Sequence, residues 1–435
     1  MVIAAAEKMP RGSLSKLTVD QVDFNGKKVI CRVDYNVPLR EENGTYQVAN
    51  NQRITATLPT LRCILEKGAQ RIVLLSHLGR PDGKVVPSMS LKPVAEELAK
   101  LLAPLKVQFM DECVGPRVDA ALEASTSPII LLENLRFHVE EEGTVKRKDG
   151  SKETASQENV QRFRASLTKL GSVFVNDAFG AAHRAHSSIV GINLPVRAAG
   201  LLMQRELEYF GHILEAPAPS VDLAILGGSK VADKIQLIEN LLPRVRTMAI
   251  GGAMCFTFRS ILDKMPIGKS IFDEEGAKLV PSIMAKAKSL GVSIWLPKDF
   301  VTGDKIKEDA RIGEASLAKG GILEADMMGL DVGTESCAEL TALIRNSKMV
   351  LWNGPVGVFE VSHFAKGTKA VVQALVEATA NGATTIVGGG DSGAAVAQFA
   401  NETQLSHVST GGGASLELLE GKILPGIAAL SNQTL

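Results

Sequence analysis

Short apolar runs alternate with amphipathic helical patterns along almost the whole chain, and this alternation narrows the fold more than any other feature. In the first half the runs are Lys28–Val37 (KVICRVDYNV), Arg71–Leu75, Val107–Met110, Ile129–Leu132 and Val173–Val175, with helical patterns such as Leu91–Leu102 between them. Strand-length runs separated by helices imply βαβ units and a mostly parallel sheet. Ligands gather beyond the carboxyl ends of the strands in such a sheet. Those ends carry Asp34, Asn36, His77, Arg80, Arg136 and Asp177. The charged, unpatterned stretch Glu140–Glu158 reads as a solvated surface excursion.

A chain of 435 residues exceeds one ordinary core, so two domains are expected. Gly200–Leu214 places Met203, Leu207, Phe210 and Leu214 on one helical face and is followed by the Pro-rich break EAPAPS. The expected organisation is a first domain over 1–200, a connecting helix over 201–214 and a second domain over 215–423. The content, 45% hydrophobic and 22% charged, is that of a soluble globular protein, and the zero net charge gives no support for nucleic-acid or acidic-membrane binding. No run reaches the length of a membrane span. MVIAAAEKMPRG is too short for a signal peptide, and SNQTL is no retention signal. Five cysteines are scattered without a CxxC pair, which suits a reducing compartment and argues against a disulfide frame or a zinc site. A cytoplasmic protein is expected, and a monomer, since no heptad or long exposed apolar face suggests an assembly surface.

The second half has different punctuation: its strands end in glycine. In Val221–Leu242 an apolar run stops at Gly227-Gly228 and a helical pattern begins at once, with Val231, Ile235, Ile238 and Leu242 at helical spacing. Lys230 and Lys234 rise from one side of the first turns. Unpaired N–H groups at that helix start, beside the glycines, would admit an anion. GxxxxGK[ST] is absent, so this is not a Walker A loop. Further strand ends carry Gly251-Gly252, Asn353 in WNGPVG, Gly388-Gly389-Gly390 followed by Asp391 and Ser392, and Gly411-Gly412-Gly413. Glycines along one set of strand ends leave backbone amides uncovered, as a nucleotide and its phosphates require.

The first half instead offers Arg53, His77, Arg80, Arg136, His183, Arg184 and His186. Arginine forks suit carboxylate and phosphate. His183 and His186 could be a metal pair, but no acidic or thiol partner sits at ligand spacing. A half fit for a small polyanion and a half fit for a nucleotide together point to phosphoryl transfer, which depends on positioning and charge stabilisation. Arg53 and Lys230, one from each half, are the candidates for that work. Asp391 is placed to hold Mg²⁺ on nucleotide phosphates. A carboxylate acceptor is already ionised and needs no general base.

The segments CRVDYNVP, NNQRI, SHLGRP, ENLRFH, NDAFGAAHRAHSS, ILGGSKVADKI, WNGPVGVFE, GGGDS and STGGGASLELLEGK occur in this order across both halves. In these the chain closely resembles the phosphoglycerate kinase family. The resemblance implies two doubly wound, Rossmann-like parallel-sheet domains of the α/β class, joined by an interdomain helix and hinge, with a tail near 424–435 returning to the first domain. It implies the glycolytic and gluconeogenic reaction 1,3-bisphosphoglycerate + ADP ⇌ 3-phosphoglycerate + ATP, with Mg²⁺. It assigns phosphoglycerate binding to Asp34, Asn36, Arg53, His77, Arg80, Arg136 and Arg184, with His183 beside them. Nucleotide contacts fall to Gly227, Gly228, Lys230, Lys234, Gly251, Gly252, Asn353, Glu360, Gly388–Gly390, Asp391 and Ser392. Lys230 would travel with the phosphoryl group, Lys234 hold the phosphates and Glu360 hold the ribose. Gly411–Gly413 would join Arg53 and Lys230 around the transition state. Tyr35 stands where phenylalanine is usual in the family and Ser392 where threonine is usual, a ring and a hydroxyl being kept. Another small-carboxylate kinase, or a catalytically silent nucleotide-binding protein, is the competing reading; a dehydrogenase lacks its GxGxxG and acidic partner.

Overall fold

Strands buried on both faces dictate the architecture. The computed structural model describes residues 12–147 and 149–433, so most of the N-terminal stretch read above and the last two residues of the tail lie outside it. The described residues divide into two compact units: Tyr209–Lys422 forms one, and the other joins the described residues up to Glu208 with those from Ile423 onward. The division falls inside the helix Leu201–Leu214.

In the unit ending at Glu208, the described residues build a six-stranded parallel sheet in the order Arg197–Ala199, Val173–Asn176, Lys28–Arg32, Arg71–Leu75, Ile129–Leu132, Val107–Met110. Alternate side chains feed opposite cores. Val29, Cys31, Ile72 and Leu74 pack on one face, and Ile30, Val73, Leu75 and Ile130 on the other. Two covered faces explain why these strands read as continuous apolar runs. The chain from Ile423 belongs to this unit through Ser431 N–H donating to Arg197 O (2.9 Å), Leu17 N–H donating to Ser431 O (2.9 Å) and Gly426 N–H donating to Ala182 O (2.8 Å).

Two sequence expectations are corrected here. The first strand ends at Arg32, not Val37. Val33 N–H still reaches Leu75 O at 3.0 Å, but Tyr35 N–H donates to the Ser76 hydroxyl (2.9 Å) and Asn36 N–H to the Asp34 carboxylate (3.2 Å), so side chains replace the neighbouring strand. Glu140–Glu158 is not wholly solvated. It contains most of a short helix, Val139–Glu142, and a hairpin pairing Thr144–Lys146 with Lys152–Thr154. Glu141 and Val145 are buried.

In the Tyr209–Lys422 unit, the described residues form a parallel sheet in the order Ser293–Trp295, Val245–Ile250, Val221–Leu226, Met349–Asn353, Thr384–Gly388, His407–Val408. In chain order this is 3-2-1-4-5-6, the doubly wound arrangement, and its switch point lies between Val221–Leu226 and Met349–Asn353. A three-stranded antiparallel sheet, with Asp299–Gly303 between Ile312–Ser316 and Met328–Val332, was not legible in the alternation. The helix Val231–Leu241 buries Val231, Leu237, Ile238 and Leu241, while Ile235 is only half-buried. No described helix is long and apolar enough to cross a membrane.

Candidate active site

The switch point places Gly227 beside the end of the Met349–Asn353 strand, its N–H donating to Asn353 O (2.9 Å). Lys234, one helical turn beyond Lys230, donates its ammonium to the Asn353 side-chain carbonyl. Burial lowers the Lys234 pKa, opposed by the charges of Asp391 and Glu420. A cavity of about 400 Å³ opens here, walled by Gly228, Gly252, Pro355, Val356, Glu360 and Asp391 among others. Asp391 is exposed in the first turn of the helix Gly390–Phe399. Ser392 is buried, and its hydroxyl accepts from Gly354 N–H (2.7 Å), so it anchors the turn after Asn353. Gly413 begins the helix Gly413–Leu419, and Gly412 stands at φ +51° with no heavy atom within 4 Å of an added Cβ.

The glycines divide into two groups. An added Cβ at Gly227 would lie 1.9 Å from Pro355 O, and one at Gly251 would lie 2.9 Å from Val356 Cγ1. Gly227 N–H already donates to Asn353 O (2.9 Å) and Gly251 N–H to Leu226 O (2.8 Å). These two glycines permit close packing of strand ends; they do not leave free amides. Gly390 and Gly412 face open space, as Gly228 nearly does, with only Lys234 Cε at 3.5 Å.

The helix start after Lys230 also differs from expectation. Asp273 Oδ2 accepts from Ala232 N–H at 2.9 Å, and Val231 and Gly276 N–H groups also act on this carboxylate. Those bonds, with Lys230 nearby, hold its pKa down against the opposing cost of burial. The chain therefore supplies its own anion at this terminus. Lys230 itself is exposed at the N-cap position and extended in backbone (φ −128°).

In the other unit, Arg53, at the start of the helix Gln52–Glu66, meets Asp34 at 2.8 Å, its side chain 46% exposed and available to a second anion. Asn36 and Arg136 grip one residue from both ends. Asn36 Oδ1 accepts from Gly79 N–H (2.9 Å) and Arg136 Nη1 donates to Gly79 O (2.9 Å), which fixes the loop carrying Arg80. Arg80 and Arg184 are exposed, and His183 is half-buried. His77 is buried with Nδ1 3.1 Å from Arg32 Nη2. Asp177 is not part of this group. Its Oδ1 accepts from Leu202 and Met203 N–H (2.9 and 3.1 Å) and caps the helix Leu201–Leu214.

Sequence reading missed the residues beneath this surface. Arg32 is fully buried and donates through Nε to Ser188 Oγ (2.9 Å), and Ser188 donates through Oγ to Glu141 (2.6 Å) and through N–H to its second oxygen (2.9 Å). Burial pushes the Glu141 carboxyl up, opposed by the Arg32 charge. His186 lies 4.0 Å from Glu141 and 3.7 Å from Glu142, an acidic neighbourhood that residue spacing did not show. The available signal was Arg32 itself, a charge inside an apolar run, which requires a buried partner.

The family model for phosphoglycerate kinase matches residues 19–422. The chain belongs to the phosphoglycerate kinase family. It is 54% identical to phosphoglycerate kinase 1 of Sus scrofa over 420 residues, covering 96% of this chain and 99% of that protein. Phosphoglycerate kinase 2 of Equus caballus is 55% identical over 423 residues, covering 97% and 100%. Among solved structures, phosphoglycerate kinase from Coxiella burnetii superposes with a TM-score of 0.80 at 35% identity, covering 95% of this chain and 98% of that one. The Pyrococcus horikoshii phosphoglycerate kinase gives 0.73 at 28%, with the same coverage. The chain is thus a phosphotransferase of the α/β class with a carboxyl group as acceptor, using phosphoglycerate and ATP or ADP.

Proposed function

We propose that the chain catalyses reversible, Mg²⁺-dependent transfer of the acyl phosphate of 1,3-bisphosphoglycerate to ADP, giving 3-phosphoglycerate and ATP, as a cytoplasmic monomer of glycolysis and gluconeogenesis. The observation that carries this reading is the bond from Lys234 to Asn353 at the switch point, together with Gly228, Glu360 and Asp391 on the wall of one cavity. Lys234 holds nucleotide phosphates, Glu360 the ribose, and the amides at Gly228, Gly388–Gly390 and Gly411–Gly413 the oxygens. Asp391 fits Mg²⁺, which takes one or two carboxylates and otherwise phosphate and water oxygens; bound there, it neutralises charge on the nucleotide phosphates. Asp34, Asn36, Arg53, His77, Arg80, Arg136, His183 and Arg184 bind the phosphoglycerate.

In the mechanism, closure of the units on both substrates excludes water and brings Arg53 to the passing phosphoryl group. Arg53 and Lys230 with the Gly411–Gly413 helix start stabilise the charge spread over its oxygens. The acceptor carboxylate attacks without surrendering a proton, so no side chain acts as base.

The test couples ATP consumption with 3-phosphoglycerate and Mg²⁺ to glyceraldehyde-3-phosphate dehydrogenase and NADH. The wild type oxidises NADH, and Lys230→Ala or Arg53→Ala lowers turnover on the order of a hundredfold or more. Near-normal turnover in either variant removes that residue from the mechanism. A wild type that binds MgATP but oxidises no NADH overturns the proposed reaction.

A further inference from the structure

The parallel strands Val107–Met110 and Ile129–Leu132 are neighbours and end side by side, Met110 beside Leu132. The chain leaving the first carries Glu112 and Cys113. The chain leaving the second turns through Leu135–Phe137 and delivers His138. A carboxylate oxygen of Glu112, Cys113 Sγ and an imidazole nitrogen of His138 all lie within 4.8 Å of one another. Glu112 Oε1 and His138 Nε2 are already 2.7 Å apart.

The surroundings grade from core to solvent. Cys113 is fully buried in the cluster of Met110, Val118 and Leu122, while the side chains of His138 and Glu112 are 27% and 38% exposed. The His138 ring is held by Phe163, centroids 5.4 Å apart, and Glu112 Oε1 also accepts from Cys113 N–H at 2.7 Å. Two of the three donor groups, the His138 ring and the Glu112 carboxylate, are thus held by other groups, with the Cys113 sulfur beside them.

We propose that Glu112, Cys113 and His138 form a three-ligand site for a borderline divalent cation of the zinc class, with its fourth position facing solvent. Tetrahedral zinc with bonds of about 2.0–2.3 Å needs donors roughly 3.3–3.8 Å apart, a spacing these side chains reach by small rotations. One oxygen, one nitrogen and one sulfur select zinc or cobalt over Mg²⁺, which demands an oxygen shell. On binding, a metal–sulfur bond forms and the Cys113 thiol proton leaves to solvent. The Nε2 proton of His138, which now faces the Glu112 carboxylate, also leaves, to solvent from the imidazolium or to Nδ1 from the neutral ring. Nε2 then offers its lone pair with a proton on Nδ1, and the metal takes the place of the bond to Glu112. Residue spacing hides this site, because Glu112 and Cys113 are adjacent, His138 lies on a different strand's exit, and only the strand pairing brings them together.

The test titrates the metal-free full chain with Co²⁺. One equivalent gives the near-ultraviolet thiolate-to-cobalt band and the intense visible bands of four-coordination, and Zn²⁺, but not Mg²⁺, bleaches them. Cys113→Ser removes the thiolate band, and His138→Gln weakens Co²⁺ binding on the order of tenfold or more. Because Cys113 is buried, Glu112→Gln provides a variant nearer the surface, with the same weakening expected. Absence of the thiolate band with Co²⁺ at millimolar concentration overturns the site. So does a band that survives in folded Cys113→Ser, or wild-type affinity in both Glu112→Gln and His138→Gln.

Discussion

Arg32 Nη2 lies 3.1 Å from Nδ1 of His77, and a guanidinium can only donate, so Nδ1 is the acceptor and the ring carries its proton on Nε2. Burial, then the charges of Arg32 and Arg136, push the His77 pKa well below its usual value. His77 is therefore a neutral donor aimed by a buried arginine. Its ring nitrogens in a ¹⁵N-resolved NMR titration are expected to stay in the neutral Nε2–H form well below the ordinary value of about 6.5. Imidazolium shifts at pH 6 would refute this. His77→Ala leaves Arg32 Nη2 without that acceptor and costs about 1–3 kcal/mol of stability.

His186 carries the same physics into the pH dependence of its unit. Burial and the charges of Arg136, Arg32 and Arg184 push its pKa down to about 3. Unfolded, a histidine titrates near about 6.5, so the unfolded chain binds the extra proton first as pH falls. The stabilising difference is complete above about pH 6.5 and is lost as pH falls toward 3. Amide exchange in the unit ending at Glu208 should quicken across that window in the wild type, with a weaker dependence in His186→Asn. An unchanged slope in the variant would assign the acid sensitivity to other groups.

The Tyr209–Lys422 unit carries a group of opposite sign. Asp331 is buried, accepts from Val332 and Gly367 N–H, and has its pKa raised by burial to about 7. An unfolded aspartate titrates near about 3.9, so between these values the folded state holds a proton that the unfolded state has released. Asp331 therefore contributes stability below about pH 4 that is lost as pH rises through 7, at on the order of 1 kcal/mol per pH unit. Both tryptophans, Trp295 and Trp352, lie in this unit, so fluorescence-detected denaturation reports it alone. Subtracting the Asp331→Asn curve from wild type should isolate this downward slope. A flat difference would place the proton elsewhere.

Tyr35, whose ring carries a hydroxyl into the core, shows how that polar group is absorbed. Its ring is buried, and its hydroxyl meets Thr57 Oγ1 at 2.9 Å. Thr57 Oγ1 also donates to Ile54 O at 2.9 Å, so it keeps a partner when the phenol is removed. Tyr35→Phe is expected to cost no more than about 1 kcal/mol and to leave turnover unchanged. Equilibrium denaturation and the coupled assay check this; a loss of several kcal/mol would mean the hydroxyl serves more than Thr57.

The sheets were legible because strands covered on both faces leave continuous apolar runs, as at Arg71–Leu75 and Val221–Leu226. The set Asp34, Asn36, His77 and Arg136 was legible because parallel strands end on one edge. What stayed hidden depended on groups distant in sequence. Asp273 reaches back to Ala232, Glu141 reaches Ser188, and the strand beginning at Lys28 stops where Ser76 captures Tyr35 N–H. Those partners obey no period, so hydrophobic patterning carries no trace of them. Asp177 was misread for the same reason. A carboxylate at a strand end looks like a ligand group until the helix it caps is in place.

The glycine set makes the same point testable. Sequence reading gave all the strand-end glycines one purpose, yet Gly227 lies against Pro355 O while Gly390 faces open space. An alanine methyl 1.9 Å from a backbone oxygen cannot be relieved by a rotamer change, so the strand end must move. Gly227→Ala is expected to lose about 3 kcal/mol or more, read as a lower midpoint in tryptophan-detected denaturation. Gly390 opens the helix Gly390–Phe399, where alanine is the better helix former. Gly390→Ala should hold or raise that midpoint while weakening MgADP binding, because in the proposed function the nucleotide phosphates take the open space its methyl would fill. Calorimetric titration of the folded variant decides the second half. Unchanged MgADP affinity would show that nucleotide phosphates approach elsewhere, and a destabilised Gly390→Ala would show that the space around it is not free.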